Sequence, residues 1–216
     1  MYFVDRVTLG KTLAQGLQDL RGKEAVILCL KESSLLTCLS MAMQLRAWVF
    51  PLLYVPLYAQ DNERTVLGVV SADGEFTASN QNITRQAAAS SPDLERQKQT
   101  ALEVLRQKLS GYGMKLDNHS MDGRDVVLAA DVLSDPQPLI VGRQLLDAIN
   151  PKSITVVAGN VTPLVADQIR VSASKTTVLD VLSGVVSDDD RYFQQPDAYS
   201  LQEQYKLAQH IATYWQ

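Results

Sequence analysis

Asp131 closes a short apolar run, Val126, Val127, Leu128, Ala129 and Ala130, and an irregular stretch follows before a helical pattern resumes at Leu139. That order reads as a buried strand, a loop and a helix. In open parallel sheets ligands sit just past the carboxyl ends of the strands, where backbone N–H groups and the positive end of the next helix can hold an anion. Residues 131–138 are therefore the first place where chemistry is expected. A second such place follows the apolar run 25–30: Lys31 can meet an anion, and Ser33 or Ser34 can cap the next helix.

Other reactive side chains carry less. His119 and His210 are far apart and lack metal-ligand spacing, and the run Asp188, Asp189, Asp190 has no compact ligand set around it, so it reads as a solvated turn. Gly111, Tyr112 and Gly113 read as a helix stop rather than a dinucleotide fingerprint. No zinc spacing, nucleophile elbow or Walker motif occurs.

The elements that must position these residues alternate. Leu9, Leu13, Leu17 and Leu20 fall on one helical face, with Thr8 as the predicted N-cap and Asp5 and Arg6 as an exposed ion pair. Leu35, Leu36, Leu39, Ala42, Met43 and Leu45 predict a helix apolar on more than one face, with Met41 and Met43 as core filler. Residues 49–57 read as a strand bounded or broken by Pro51 and Pro56. Asp93 opens a helix carrying Leu94, Ala101, Leu102, Leu105 and Leu109. Helix 139–149, strand 153–158, a helix starting at Thr162 and Pro163, and strand 176–182 follow. Ser200 and Glu203 form a capping box, opening a last helix whose apolar side is Leu201, Tyr205, Ala208, Ile211, Ala212 and Trp215. Strand alternating with helix predicts an open, mostly parallel twisted sheet with helices on both faces.

Composition narrows the class. The 216 residues are 46% hydrophobic and 20% charged, enough to bury one substantial core. A net charge of −4 gives no basic footprint for nucleic acid or an anionic membrane. The longest apolar stretch holds Pro51 and Pro56 and is too short to span a bilayer. Nothing at the N-terminus reads as a signal peptide, and Cys29 and Cys38 read as reduced core thiols, so a cytoplasmic protein is expected.

The stretch 125–144 resembles the phosphoribosyl diphosphate (PRPP) loop of the type I phosphoribosyltransferases, in which an apolar strand runs into two acidic residues and a small-residue loop. In that family the acidic pair holds the ribose hydroxyls and the loop amides wrap the 5′-phosphate. On this sequence the acidic positions are Ala130 and Asp131, and the loop is filled by residues 132–138, among them Ser134, Asp135 and Pro136. The pyrophosphate loop, Pro-Arg-Gly-Gly in one branch, corresponds to Lys31, Glu32, Ser33 and Ser34. Phe3, Asp5 and Arg6, then Gly10, Leu13, Ala14 and Leu17, resemble that branch's F-x-D-R and G-x-x-L-A-x-x-L pattern. Glu63, Gly68, Val70, Asp73 and Gly74 resemble its E-x-A-I-G-A-V-x-E-D-G segment.

The resemblance implies a type I phosphoribosyltransferase-like domain over residues 1–198, a hood or flexible-loop insertion at 75–113 in which Arg85 is the base to watch, and a C-terminal helix at 199–216. The chemistry of the loops departs from the family. A phosphate cradle needs inward amides and close backbone approach, but residues 131–138 hold no Gly, and Pro136 and Pro138 lack an N–H. Asp135 adds a negative charge where a dianion would sit. The expectation is a non-catalytic protein of this fold, acting as a binding, regulatory or assembly subunit, with no cofactor and no metal. The alternative is an active transferase of nucleobase salvage or nucleoside metabolism, in which Mg²⁺ accompanies PRPP and Asp131 meets a metal-bound water. A third reading binds another nucleotide or small anion through Lys31. A homodimer or a protein partner is implied, with no nucleic acid and no membrane.

Overall fold

Two runs without polar alternation, 25–30 and 126–133, lie side by side in the middle of a five-stranded sheet. The computed structural model describes residues 1–59, 62–72, 74–78, 92–112, 121–147, 149–183 and 189–214. The strands in chain order are β1 (Val26–Cys29), β2 (Trp48–Pro51), β3 (Tyr54–Ala59), β4 (Asn62–Ser71), β5 (Phe76–Ala78), β6 (Asp125–Leu133), β7 (Ser153–Val161) and β8 (Lys175–Val181). Among the described residues the α-helices are α1 (Arg6–Gln15), α2 (Leu35–Leu45), α3 (Pro92–Tyr112), α4 (Gln137–Asp147), α5 (Pro163–Ser172) and α6 (Leu201–Tyr214). The chain forms two compact units, one of Met1–Leu52 with Asp117–Gln216 and one of Leu53–Leu116.

In the larger unit the sheet order is β2-β1-β6-β7-β8, and every pairing is parallel. β6 is buried at all nine positions, as a parallel strand covered on both faces must be. Successive side chains point to opposite faces. Leu128 therefore meets α4, where a Cβ on Gly142 would stand 3.4 Å from its Cδ2, while Asp131 points to the face carrying α1 and α2.

α1 buries Leu9 and Leu13, with Leu17 and Leu20 continuing the same face beyond its end. Its N-cap is Asp5 rather than Thr8: the Asp5 carboxylate accepts the Thr8 amide at 2.6 Å. α2 is apolar nearly all round because the sheet, α1 and α6 surround it. Met41 is buried as expected, but Met43 is 64% exposed. The strand expected at 49–57 is two strands. β2 ends at Pro51 on the edge of the parallel sheet, and β3, which contains Pro56, is an edge strand of the second sheet. Both prolines sit where a missing N–H is tolerated.

The smaller unit is an antiparallel sheet, β3-β4-β5, packed against α3. Leu94, Ala101 and Leu105 form the buried stripe of α3, and the Lys98 ammonium lies 4.9 Å from the centre of the Phe76 ring. Arg85, Asp73, Gly113 and His119 lie outside the described residues. In α6 the capping box forms as read, with the Ser200 amide donating to Glu203 at 2.8 Å and the Glu203 amide donating to the Ser200 hydroxyl at 3.4 Å. Tyr205 and Ala208 are its buried apolar residues among those described; Trp215 is outside the described residues. Among the described residues no helix is long and apolar enough to cross a membrane.

Candidate functional site

The loop read at 131–138 is largely strand and helix. β6 continues to Leu133, with Val132 and Leu133 paired to Asn160 and Val161 of β7, and α4 begins at Gln137. Only Ser134, Asp135 and Pro136 are left to turn the chain, and each is engaged. The Ser134 carbonyl accepts the Thr162 hydroxyl at 3.2 Å, and the Asp135 carboxylate accepts the Gln137 amide at 2.8 Å. The Pro136 carbonyl accepts the Ile140 amide at 3.0 Å. Asp135 thus supplies the negative charge that the first turn of α4 attracts. The apolar pair at 132 and 133, the first of them β-branched, is what extends the strand beyond its predicted end.

Ala130 is wholly buried and pairs with Ala158 of β7. Asp131 is also wholly buried, inside the strand rather than at the mouth of a loop. One carboxylate oxygen accepts the Ser34 hydroxyl and, at 2.7 Å, the Val132 amide; the other accepts Arg6 Nε at 2.7 Å. The Ser34 hydroxyl in turn accepts the Asp131 amide at 3.1 Å. Ser34 stands at the head of α2 but makes no side-chain cap there, because its hydroxyl is committed to Asp131.

Arg6 is the residue that the sequence placed wrongly. Instead of an exposed partner of Asp5, it is 4% exposed and divides its fork among three carboxylates: Nε to Asp131, Nη2 to Asp190 at 2.7 Å and Nη1 to Asp197 at 2.9 Å. Its guanidinium carbon lies 4.3 Å from the centre of the Phe193 ring. Burial works against the charge, but Asp131 and the bonds from Asp190 and Asp197 outweigh it, so the Arg6 pKa is raised above its ordinary value. A planar cation with five fixed donors suits such a position, which a lysine could not fill in the same way.

Lys31 lies across from this cluster. Its ammonium donates to the Val132 carbonyl at 3.2 Å and to the Asp189 carboxylate, which the Ser33 hydroxyl also reaches at 3.4 Å. Glu32 is drawn the other way, accepting the Tyr205 hydroxyl of α6 at 2.8 Å. The acidic run read as a solvated turn is so only in part: Asp190 stays exposed while meeting Arg6, Asp189 is withdrawn from water against Lys31, and Asp188 lies outside the described residues. His210 is exposed on α6 and takes no part in this cluster. Burial raises the Tyr192 pKa, with Tyr2, Asp189 and Asp180 adding to it, and the Cys38 thiol is pushed well up by burial and by its hydrogen bond with Cys29.

Among the described residues two cations, Arg6 and Lys31, thus face four carboxylates, Asp131, Asp189, Asp190 and Asp197. Among these paired groups the surplus is negative. Among the described residues no group of His, Cys, Asp or Glu is set to hold a metal. The sequence missed Arg6, Asp190, Asp197 and Phe193 as parts of one cluster. Arg6 carried a signal in the F-x-D-R pattern; Asp197 carried none.

A helix-flanked five-stranded parallel sheet and a separate small antiparallel sheet define a protein of α/β fold. The chain is similar over 98% of its length, and 99% of the other's, to the TT1426 protein of Thermus thermophilus, with a TM-score of 0.81 and 22% identity. Its structural neighbours include the purine phosphoribosyltransferase of Pyrococcus horikoshii, at a TM-score of 0.47 and 11% identity over 90% of this chain and 94% of that one. A hypoxanthine phosphoribosyltransferase of Staphylococcus aureus matches at 0.45 and 14%, over 84% of this chain and 77% of the other. No family model matches the chain, and no curated protein matches it by sequence. The likeness to TT1426 is one of fold.

Proposed function

We propose that this protein does not transfer a phosphoribosyl group and acts as a binding, regulatory or assembly subunit on a transferase-like scaffold. One observation carries the reading: Asp131, the acid that would meet a ribose hydroxyl or a metal-bound water, is buried and held by Arg6, Ser34 and the Val132 amide. Such a carboxylate does not fit a metal-bound PRPP, since it already serves three protein donors and lies against a cation. The turn at 134–136 adds to this, because Asp135 has taken the Gln137 amide. Bringing a dianion toward a site with surplus carboxylates costs several kcal/mol, to order of magnitude.

A role in assembly draws support from a groove of about 780 Å³ among α1, α2 and α6, where Leu36, Leu39, Met43, Leu207 and Ile211 supply apolar surface. Cys29 and Cys38, buried and unbridged, suit a reducing compartment and support a cytoplasmic setting.

Thermal melting with and without millimolar PRPP and Mg²⁺ tests the proposal. A ligand at about a hundredfold its dissociation constant adds about 2.7 kcal/mol, which in a domain of this size raises the midpoint by roughly 5 to 10 °C. We expect no shift. A rise of that size would overturn the reading and point to an active transferase.

A further inference from the structure

We propose that the segment 189–197 is a built-in occupant of the site, with the Asp189 carboxylate seated on Lys31 and Ser33 where a small external oxyanion would otherwise bind. The proposal rests on the reading of the site as closed and names what closes it.

Asp189 lies 158 residues from Lys31, so no local preference brings the two together. The side chain of Asp189 is 15% exposed, whereas that of its neighbour Asp190 is 79% exposed, although it too reaches a cation. An aspartate in an ordinary surface turn stays hydrated, and one withdrawn from water must be paired. The pairing is supplied by an ammonium and a hydroxyl from the turn after β1.

The segment is held to its place by more than this pair. Its backbone runs beside the N-terminal residues: the Phe3 amide donates to the Tyr192 carbonyl at 2.8 Å, and the Gln194 and Gln195 amides donate to the Phe3 and Val4 carbonyls, each at 3.0 Å. The Phe3 and Phe193 rings are 5.9 Å apart, as are those of Tyr2 and Tyr192. Arg6 ties both Asp190 and Asp197. With the flanks fixed, the Asp189 carboxylate is presented to Lys31 at the high effective concentration of a tethered group, on the order of millimolar or above. An external anion must outcompete it. Without that carboxylate, Lys31 and the Ser33 hydroxyl would be left as a cation and a donor suited to phosphate or pyrophosphate.

Calorimetric titration with inorganic pyrophosphate, without metal, tests this on the full chain. Asp189→Ala is expected to bind at least tenfold more tightly than the parent chain, and the Asp189→Ala, Lys31→Gln double variant to return to the parent value. Equal binding by the parent and Asp189→Ala would overturn the proposal. Asp189→Asn gives a second variant should Asp189→Ala fail to fold: it too is expected to bind pyrophosphate at least tenfold more tightly than the parent, and parent-like binding would overturn the proposal. The two readings fail separately. PRPP-dependent melting of the parent chain would defeat the proposed function, whereas a parent chain blind to PRPP and an alanine variant blind to pyrophosphate would defeat only the internal occupant.

Discussion

The energetics of the site depend on how deeply each of the three Arg6 partners is buried. Asp131 is fully buried, Asp197 is 26% exposed and Asp190 is 79% exposed. Removing one member of a buried pair leaves the other charge uncompensated, at about 3–5 kcal/mol, whereas an exposed pair contributes about 0–1 kcal/mol. Asp131→Asn is therefore expected to lower the urea midpoint by the equivalent of about 3 kcal/mol or more. Asp190→Asn should cost less than about 1 kcal/mol in the same measurement. Equal losses would mean that Arg6 is held by the outer carboxylates and not by Asp131. Arg6 itself was legible as a charged residue beside Asp5 and as part of the F-x-D-R pattern, but not as a buried one. Its partners lie 125 or more residues away, and local pattern holds nothing about them.

At the scale of elements, the pairing of α1 with α2 is set by a missing side chain. A Cβ on Gly10 would stand 2.4 Å from the Thr37 carbonyl and 2.6 Å from Ser40 Cβ, and the first of these belongs to a helix backbone that cannot rotate aside. Gly10→Ala would gain up to about 1 kcal/mol of helix propensity, but overpacking costs about 1–3 kcal/mol, and the contact with backbone places it at the upper end. A net loss of stability in chemical denaturation is expected; a gain would show that α1 shifts freely on α2. The Leu9, Leu13, Leu17 and Leu20 stripe was readable because a helix face repeats every three or four residues. The far end of β6 was not, because an acid inside an apolar run looks like its end. What keeps Asp131 in the strand is the charge brought to it by α1 and the hydroxyl at the head of α2.

For the whole molecule, the amino end of β6 contributes to the acid dependence of stability. Asp125 accepts the Ser153 hydroxyl at 2.5 Å and the Lys152 ammonium at 3.0 Å, and these hold its pKa below the ordinary aspartate value, the serine contributing most. A carboxylate with a depressed folded pKa contributes stability that is complete above its unfolded value, near about 4. That contribution is lost as pH falls through the lower folded value. In Asp125→Asn the denaturation midpoint should accordingly depend less steeply on pH below about 4 than in the parent chain. Parallel acid limbs would remove Asp125 from the account.

The sequence by itself determined the alternation of strands and helices, the apolar face of α1 and the capping box of α6, because each is written in neighbouring residues or a short period. It also carried the fold, through apolar strands bounded by turns at regular intervals. Tertiary structure alone decided that 49–57 divides between two sheets and that Arg6, Lys31, Asp131, Asp189, Asp190 and Asp197 form one cluster. Their pairing joins the two ends of the chain across the carboxyl edge of the sheet. Charge acts through space on whatever the fold brings within reach, and the order of residues along the chain does not record that distance.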